Sequence, residues 1–121
     1  MPFPVLGTDR VEGVLHTALA GLSLRQDVAA DNIANIDTPG FRARSVDFED
    51  SLRTAVARGG VPESGIALTS TPTQTPVGPN GNNVDLRKET MAAMQSVFQY
   101  QIVSRSVSDR FEMMRTAAGN F

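Results

Sequence analysis

The chain has 121 residues, a formal net charge of −2, no cysteine and no tryptophan. This length limits it to one ordinary domain, and the missing thiols exclude a disulfide framework, thiol catalysis and cysteine-based metal sites. The balance of 11 basic against 13 acidic residues argues against a nucleic-acid partner. No apolar run approaches the length of about 18 residues that a membrane helix needs. The N-terminus lacks the basic and apolar regions of a cleavable signal peptide.

Residues 9–36 are predicted to form a first long helix. Asp9 and Glu12 have the spacing of a capping-box variant at its start. Apolar residues then recur at steps of mostly three and four, which is typical of an amphipathic, coiled-coil-like helix: Val11, Leu15, Ala18, Leu22, Ala29, Ile33 and Ile36. Gly13 and Gly21 each cost about 1 kcal/mol relative to alanine, so this helix needs a packing partner.

Residues 83–118 are predicted to form a second, longer helix, with no proline or glycine inside it. Asn83 or Asp85 is suited to cap its start. Its most regular row contains Leu86, Thr90, Ala93, Val97, Tyr100, Ser104, Val107, Phe111, Met114 and Ala118. A second row beside it contains Met91, Met94, Phe98 and Ile102. A helix of this length extends for about 50 Å, which favours a rod-like hairpin.

Residues 37–82 are predicted to connect the two helices. A short helix is expected over 48–57 and a short strand over 66–69. Residues 59–83 are rich in Gly, Pro, Ser, Thr and Asn, which predicts an extended and partly disordered segment. The expected fold is therefore mainly α: a single domain, 1–121, in which two long helices form a coiled-coil-like hairpin with an irregular connector.

Chemistry-bearing residues are sparse. His16 is the only imidazole, and a solvated helix position is favoured because no second histidine or cysteine completes a metal site. Asp47, Glu49 and Asp50 suit either a cation site or a solvated face, and the solvated face is favoured because no glycine turn accompanies them. A hydrolase that uses this acidic cluster is the weakest functional hypothesis. We predict no enzymatic activity, no metal site and no cofactor.

The end of the first helix is unusual in composition. Asn32 and Asn35 share one face of its final turn, where their amides are placed to hydrogen-bond exposed carbonyls or the departing chain. Thr38, Pro39 and Gly40 predict a turn, because proline fixes φ and glycine adopts positive φ. An ordinary asparagine-rich helix stop is the alternative to a dedicated structural motif.

These residues form part of the string Asn-Ile-Ala-Asn-Ile-Asp-Thr-Pro-Gly-Phe, which ends at Phe41. The string resembles the N-terminal signature of the bacterial flagellar rod and hook proteins, and its fixed positions are Asn32, Asn35, Thr38, Pro39, Gly40 and Phe41. The opening of the last helix, Asn-Asn-Val-Asp over 82–85, is similar to that of the proximal-rod member of this family. A sister subunit of the FlgC type is the alternative.

The resemblance implies a structural subunit of the flagellar basal-body rod in the periplasm, exported unfolded through the flagellar type III pathway. It implies contacts with rod proteins of the FlgC, FlgF and FlgG type, with FliE, with the export gate and with the MS ring. Phe48 and Leu52 resemble the Phe-x-x-x-hydrophobic motif proposed to dock exported substrates. An amphipathic helix face explains these two residues equally well.

The apolar residues of the last helix exceed what a hairpin can bury, which predicts an interaction surface and self-assembly into a ring or helical filament. We expect nine residues to carry this assembly: Val11, Leu15, Leu22, Ile33, Val97, Phe98, Val107, Phe111 and Met114. The competing hypothesis is a helical adaptor that stays soluble as a compact monomer.

Overall fold

A computed structural model describes the backbone of residues 3–119 and the side chains of residues 10–119. Two long helices, α1 (Phe3–Ala34) and α3 (Leu86–Gly119), pack against each other. The connector contains strand β1 (Arg44–Val46), helix α2 (Glu49–Ala57) and strand β2 (Ser70–Pro72). The predicted mainly helical hairpin is confirmed. No helix in the described range is long and apolar enough to cross a membrane.

Helix α1 begins earlier than the sequence pattern predicts. It starts at Phe3 rather than at Asp9, so residue 9 lies inside the helix and is not its N-cap. Pro4 is compatible with this start because its missing amide would have no intrahelical acceptor in the first turn. The helix ends at Ala34, two residues before the predicted end, and the amide of Asn35 is shared between the carbonyls of residues 31 and 32.

Helix α3 begins at Leu86 rather than at residue 83, and Asp85 caps it. The carboxylate of Asp85 accepts hydrogen bonds from the amides of Arg87 at 3.1 Å and Lys88 at 3.3 Å. The prediction that Asp85 caps this helix is therefore confirmed. Asn83 has a different role, which is described with the site below.

Burial along α3 follows a seven-residue spacing. Glu89 and Ser96 are buried, and Val103 and Arg110 are half-buried at the next two steps. Ser96 has no exposed surface, and its hydroxyl donates to the carbonyl of Ala92 at 2.7 Å. The small side chain of Ser96 at this seam allows α3 to lie close to α1 there.

The predicted row of larger apolar residues does not form this seam. Leu86 and Phe111, from the two ends of that row, are 51% and 60% exposed. Apolar spacing identifies a face of a helix but does not reveal whether the same chain or a neighbour covers it. The face of α3 that packs within the chain therefore consists largely of small and polar residues.

The connector is more ordered than predicted. The two strands are antiparallel, with Ser45 opposite Thr71 at the centre of the register. The strand expected over 66–69 is wrong, since the paired residues are Ser70–Pro72. The short helix predicted over 48–57 is confirmed as α2. Residues 59–83 do not show the expected disorder, because backbone bonds such as Thr73 N to Ala43 O at 3.0 Å tie them to the rest of the chain.

The hydrophobic core is small and lies where the connector meets α1. Leu22 from α1 packs with Val46 and Phe48, and all three are buried. The surrounding side chains are only partly buried: Ala18, Leu24, Val28, Leu52, Leu68 and Val103. The hairpin beyond this region, toward the end of α3, has no buried apolar residue in the described range. In the described range, a hydrophobic core therefore stabilises the hairpin where the connector meets α1 but not toward the end of α3.

Candidate functional site

The asparagine at the end of α1 holds the first strand against the helix. Asn32 is 1% exposed. Its Nδ2 donates to the carbonyl of Arg44 at 2.7 Å, and its Oδ1 accepts from the amide of Arg44 at 3.2 Å. The side-chain amide thus pairs with a strand residue as a neighbouring peptide would. The prediction that an asparagine here binds the departing chain is confirmed.

About two turns of helix before the signature string, Arg25 binds the same edge of β1. Its Nε and Nη2 donate to the carbonyl of Val46 at 3.0 and 2.7 Å. Its guanidinium also lies 4.8 Å from the centre of the Phe48 ring and pairs with Glu49. Hydrogen bonding from Arg25 is the main reason that the pKa of Glu49 lies below its ordinary value. Arg25 therefore anchors the start of α2 to α1.

A glycine in α1 makes room for the core aromatic. A Cβ atom added at Gly21 would lie 2.5 Å from Cδ1 of Phe48, which is far closer than atoms approach each other in proteins. The ring therefore rests directly on the helix backbone. Gly21 weakens α1 as an isolated helix but creates the notch in which the connector is seated.

The signature turn is clamped from the other side by the residues that precede α3. Nδ2 of Asn82 donates to the carbonyls of Asn35 and Thr38, both at 2.8 Å. Oδ1 of Asn83 accepts from the amide of Ala43 at 2.6 Å. Both asparagine side chains are buried, although they are about 40 or more residues from their partners in sequence. The end of α1 and the start of α3 are thus joined by polar contacts.

Two glycines permit this approach. Gly40 has a φ of 77° and donates its amide to the carbonyl of Asn80 at 2.9 Å. Gly81 has a φ of 82°, and a Cβ atom placed on it would lie 3.2 Å from the Cα of Gly40. Side chains are disfavoured at such φ values, so the two turns touch through backbone alone. The predicted positive φ at Gly40 is confirmed.

The nine residues expected to carry assembly occupy three environments. Leu22 is in the core of the chain and has almost no surface to offer a neighbour. Leu15, Ile33 and Val107 are half-buried. The exposed members are Val11, Val97, Phe98, Phe111 and Met114. Leu22 therefore belongs to the core of the chain, whereas most of the other eight residues are exposed.

The second row of α3 is highly exposed. Phe98, Ile102, Met91 and Met94 are 66%, 64%, 61% and 60% exposed. They recur at steps of three and four and so lie along one face of the helix. We call these four residues the outer row. Met113 extends the exposed apolar surface toward the end of α3.

The acidic cluster is involved in ion pairs rather than in a shared site. Glu49 pairs with Arg25, and Asp50 pairs with Arg53 at 2.9 Å on the surface of α2. In the described residues no group of three or more His, Cys, Asp or Glu is placed to hold a metal ion. Phe48, the first residue of the suggested export motif, is buried, and Leu52, the second, is half-buried against the core.

Sequence reasoning missed several residues that organise the site. Asn83 was predicted only as a candidate cap, because its bond to Ala43 and the bonds of Asn82 to the signature turn depend on contacts across the whole connector. The position of Gly21 opposite an aromatic residue has no local signal. The bonds of Arg25 to Val46 and Glu49 join residues 21 and 24 positions apart, so no local pattern indicates them.

Comparison with known proteins agrees with this architecture. Residues 14–42 match a family described as flagella basal body rod protein, and this range includes the whole signature turn. The chain is 33% identical to the flagellar basal body rod protein FlgB of Escherichia coli over 88% of this chain and 93% of that protein. The FlgB proteins of Salmonella typhimurium, at 33% identity, and Aeromonas hydrophila, at 34%, are matched over 78% and 77% of this chain and 84% and 80% of their own lengths.

A helical hairpin with this signature turn and these relatives defines a structural protein of the flagellar basal-body rod. The resemblance to the rod and hook proteins is thereby confirmed. Within that class, the chain belongs to the FlgB family. The preference for the proximal-rod member over a FlgC-like sister is confirmed by the same relatives.

Proposed function

We propose that this chain is a subunit of the proximal rod that assembles by packing the exposed face of its terminal helices against neighbouring subunits. Its neighbours in this proposal are further copies of itself, rod proteins of the FlgC, FlgF and FlgG type, and FliE, next to the MS ring and the export gate. The chain is also proposed to reach the rod unfolded through the flagellar type III pathway.

The observation that carries the proposal is the exposed outer row of α3. Monomeric proteins rarely expose large contiguous apolar patches, and patches of this kind mark interaction sites. Burial of a phenylalanine, methionine or isoleucine side chain is worth about 1.5–3 kcal/mol. Four such side chains on one helix face therefore supply a substantial driving force for association once a neighbour covers them.

The export part of the proposal is supported by the position of the suggested motif. Phe48 is seated in the notch at Gly21 and held beneath Arg25, so a receptor can bind it only while the chain is unfolded. Folding after export would then remove Phe48 and Leu52 from the surface. This order of events agrees with an unfolded export substrate.

Substitution of the exposed apolar surface tests the assembly proposal. Phe98→Asp and Phe111→Asp place a charge on surfaces that a neighbouring subunit would cover, and we expect loss of motility and of basal-body rods. Gln74→Asp is the matched control, because it adds the same charge at an exposed connector position. Intact rods with both phenylalanine variants would contradict the proposal. A compact, stable monomer at high concentration would favour the soluble adaptor instead.

The export proposal has a separate test. Phe48→Ala and Leu52→Ala are expected to lower the amount of chain secreted by export-competent cells. The Val56→Ala variant is the control, since Val56 lies on the same helix and is exposed. Secretion unchanged in both motif variants would show that the two residues act only in the folded core.

A further inference from the structure

Both long helices contain a long stretch without charge. Residues 90–104 of α3 include no Asp, Glu, Lys or Arg over fifteen positions, and residues 13–24 of α1 include none over twelve. Charged residues bound both stretches, with Glu12 and Arg25 on α1 and Glu89 and Arg105 on α3. Helices that face water usually carry charged residues on the solvent side. The charge-free outer faces therefore indicate that protein covers them.

The two outer faces differ in side-chain size. The outer row of α3 presents methionine, phenylalanine and isoleucine side chains. Its members Met91, Met94 and Phe98 line a groove of about 510 Å³ together with Gln95 and Gln99. The exposed positions of α1 in its uncharged stretch are His16, Ala20 and Ser23. Their spacing of four and three places them on one face of the helix. The large side chains of the outer row thus project from α3, whereas Ala20 and Ser23 project little from α1.

We infer that the outer row of one copy packs on the His16–Ala20–Ser23 face of α1 in a second copy. This inference rests on the proposed rod function and names the partner surface within it. Ala20 and Ser23 on this face are small, which allows a second helix with large side chains to approach closely there, since ridges of one helix fill grooves of the other. Neither surface brings an uncompensated charge into the contact.

A head-to-tail contact explains both faces together. If two outer rows packed on each other, the contact would close on a two-fold axis and leave the α1 face in water. A contact from α3 to α1 covers both uncharged faces in every interior copy. It also repeats from one copy to the next, and the rotation between copies decides whether the series closes into a ring or continues as a helical filament.

Disulfide trapping tests the contact, and the chain suits it because it has no native cysteine. Ala20→Cys and Phe98→Cys are produced as separate variants and as a double variant, and each is oxidised under assembling conditions. We expect the mixed single variants to form a covalent dimer and the double variant to form a ladder of higher multimers. Ala20→Cys mixed with Gln74→Cys, which lies on the connector, should form none.

Three results would overturn the inference. Phe98→Cys alone dimerising as readily as the mixture would assign the outer row to a two-fold contact. Absence of the mixed dimer from samples in which rods form would show that another protein or another face covers the row. Ala20→Trp places a large side chain on the α1 face, so rods that form normally with this variant would also contradict the inference. Circular dichroism checks that the variant still folds.

These outcomes are distinct from failure of the proposed function. The rod function fails if Phe98→Asp and Phe111→Asp leave motility and rods intact. The inference fails if those variants abolish rods but the cross-link between positions 20 and 98 does not form. Ala20→Ser serves as the size-matched control for Ala20→Trp and is expected to leave assembly unchanged.

Discussion

The side-chain amide of Asn32 hydrogen-bonds both the amide and the carbonyl of Arg44, at 3.2 and 2.7 Å. β2 pairs with one edge of β1, and side chains of α1 close the other edge, because Arg25 binds the carbonyl of Val46 two residues further on. Open strand edges are templates for aggregation. This second edge of β1 is therefore already occupied in the folded chain.

Loss of the Asn32 amide should destabilise the fold markedly. Asn32→Ala leaves two partly buried backbone groups of Arg44 without partners, which predicts a loss of about 2 kcal/mol in the free energy of unfolding. Asn32→Asp should be at least as damaging, because its carboxylate would face the carbonyl of Arg44 and cannot donate. Urea unfolding at a fixed protein concentration measures both.

The matched control for this prediction is Asn35→Ala. Nδ2 of Asn35 bonds the carbonyl of Asp31 at 2.8 Å in an exposed position, so its loss should cost less than about 1 kcal/mol. Equal losses for Asn32→Ala and Asn35→Ala would show that the pairing with Arg44 has no special importance.

The notch at Gly21 predicts opposite effects for two glycines of the same helix. Gly21→Ala places a Cβ within 2.5 Å of the Phe48 ring, so overpacking should lower the free energy of unfolding by about 1–3 kcal/mol despite the better helix propensity. At Gly13 the nearest atom to an added Cβ is Cβ of Val61 at 3.8 Å. Gly13→Ala should therefore stabilise the chain by up to about 1 kcal/mol.

Thermal melting of both variants gives the comparison. Adding Phe48→Leu to Gly21→Ala should recover part of the lost stability, because the smaller side chain relieves the contact. If Gly21→Ala instead raised the melting temperature as Gly13→Ala does, the ring would not be seated on the helix as described.

The two long helices and the Asp85 cap were predictable because each depends on residues close in sequence, whereas the cap predicted at Asp9 is wrong because α1 begins at Phe3. The row from Asn32 to Phe41 and the Asp85 cap are local signals, and both predict their structure correctly. The position of β2 was not predictable, because Ser70 and Pro72 are poor strand formers and only pairing with β1 makes them a strand. Local propensity instead favoured 66–69.

The wrong prediction of the α3 seam has the same cause, because the seam depends on contacts between helices that are distant in sequence. Ser96 is fully buried and Ala92 lines a cavity with Val28 and Ala29 of α1, whereas Phe98 is exposed. Apolar spacing detected both the wrong seam and the outer row, since a helix that packs on more than one neighbour has more than one apolar face. A sequence from a single chain does not reveal which neighbour belongs to which face.

The pairing between Arg25 and Glu49 predicts an acid-sensitive step. Arg25 lowers the pKa of Glu49 below its ordinary value of 4.5, so this pairing stabilises the folded chain above that pH. The contribution is lost as the pH falls through the folded-state pKa. Protonation of Glu49 should then loosen α2 from α1 before the paired strands separate.

Hydrogen exchange in residues 49–57 between pH 6 and pH 3 measures this step. Glu49→Gln should remove its pH dependence, while Asp50→Asn, whose pair with Arg53 is largely exposed, should leave it unchanged. The same pH profile in Glu49→Gln and in the unsubstituted chain would assign the acid sensitivity to another group.

The small core predicts that helix content depends on protein concentration. Only Leu22, Val46 and Phe48 form the buried hydrophobic cluster of the described chain, and isolated helices without packing partners are marginal in water. Far-ultraviolet circular dichroism with light scattering should therefore show less helix in dilute solution and more as the chain associates.

Phe98→Asp should weaken this rise, because a charge replaces the most exposed apolar side chain of the outer row, whereas Gln74→Asp should retain it. A dilute chain that melts sharply, with both long helices protected from exchange at every concentration, would mean that the hairpin is complete without a neighbour.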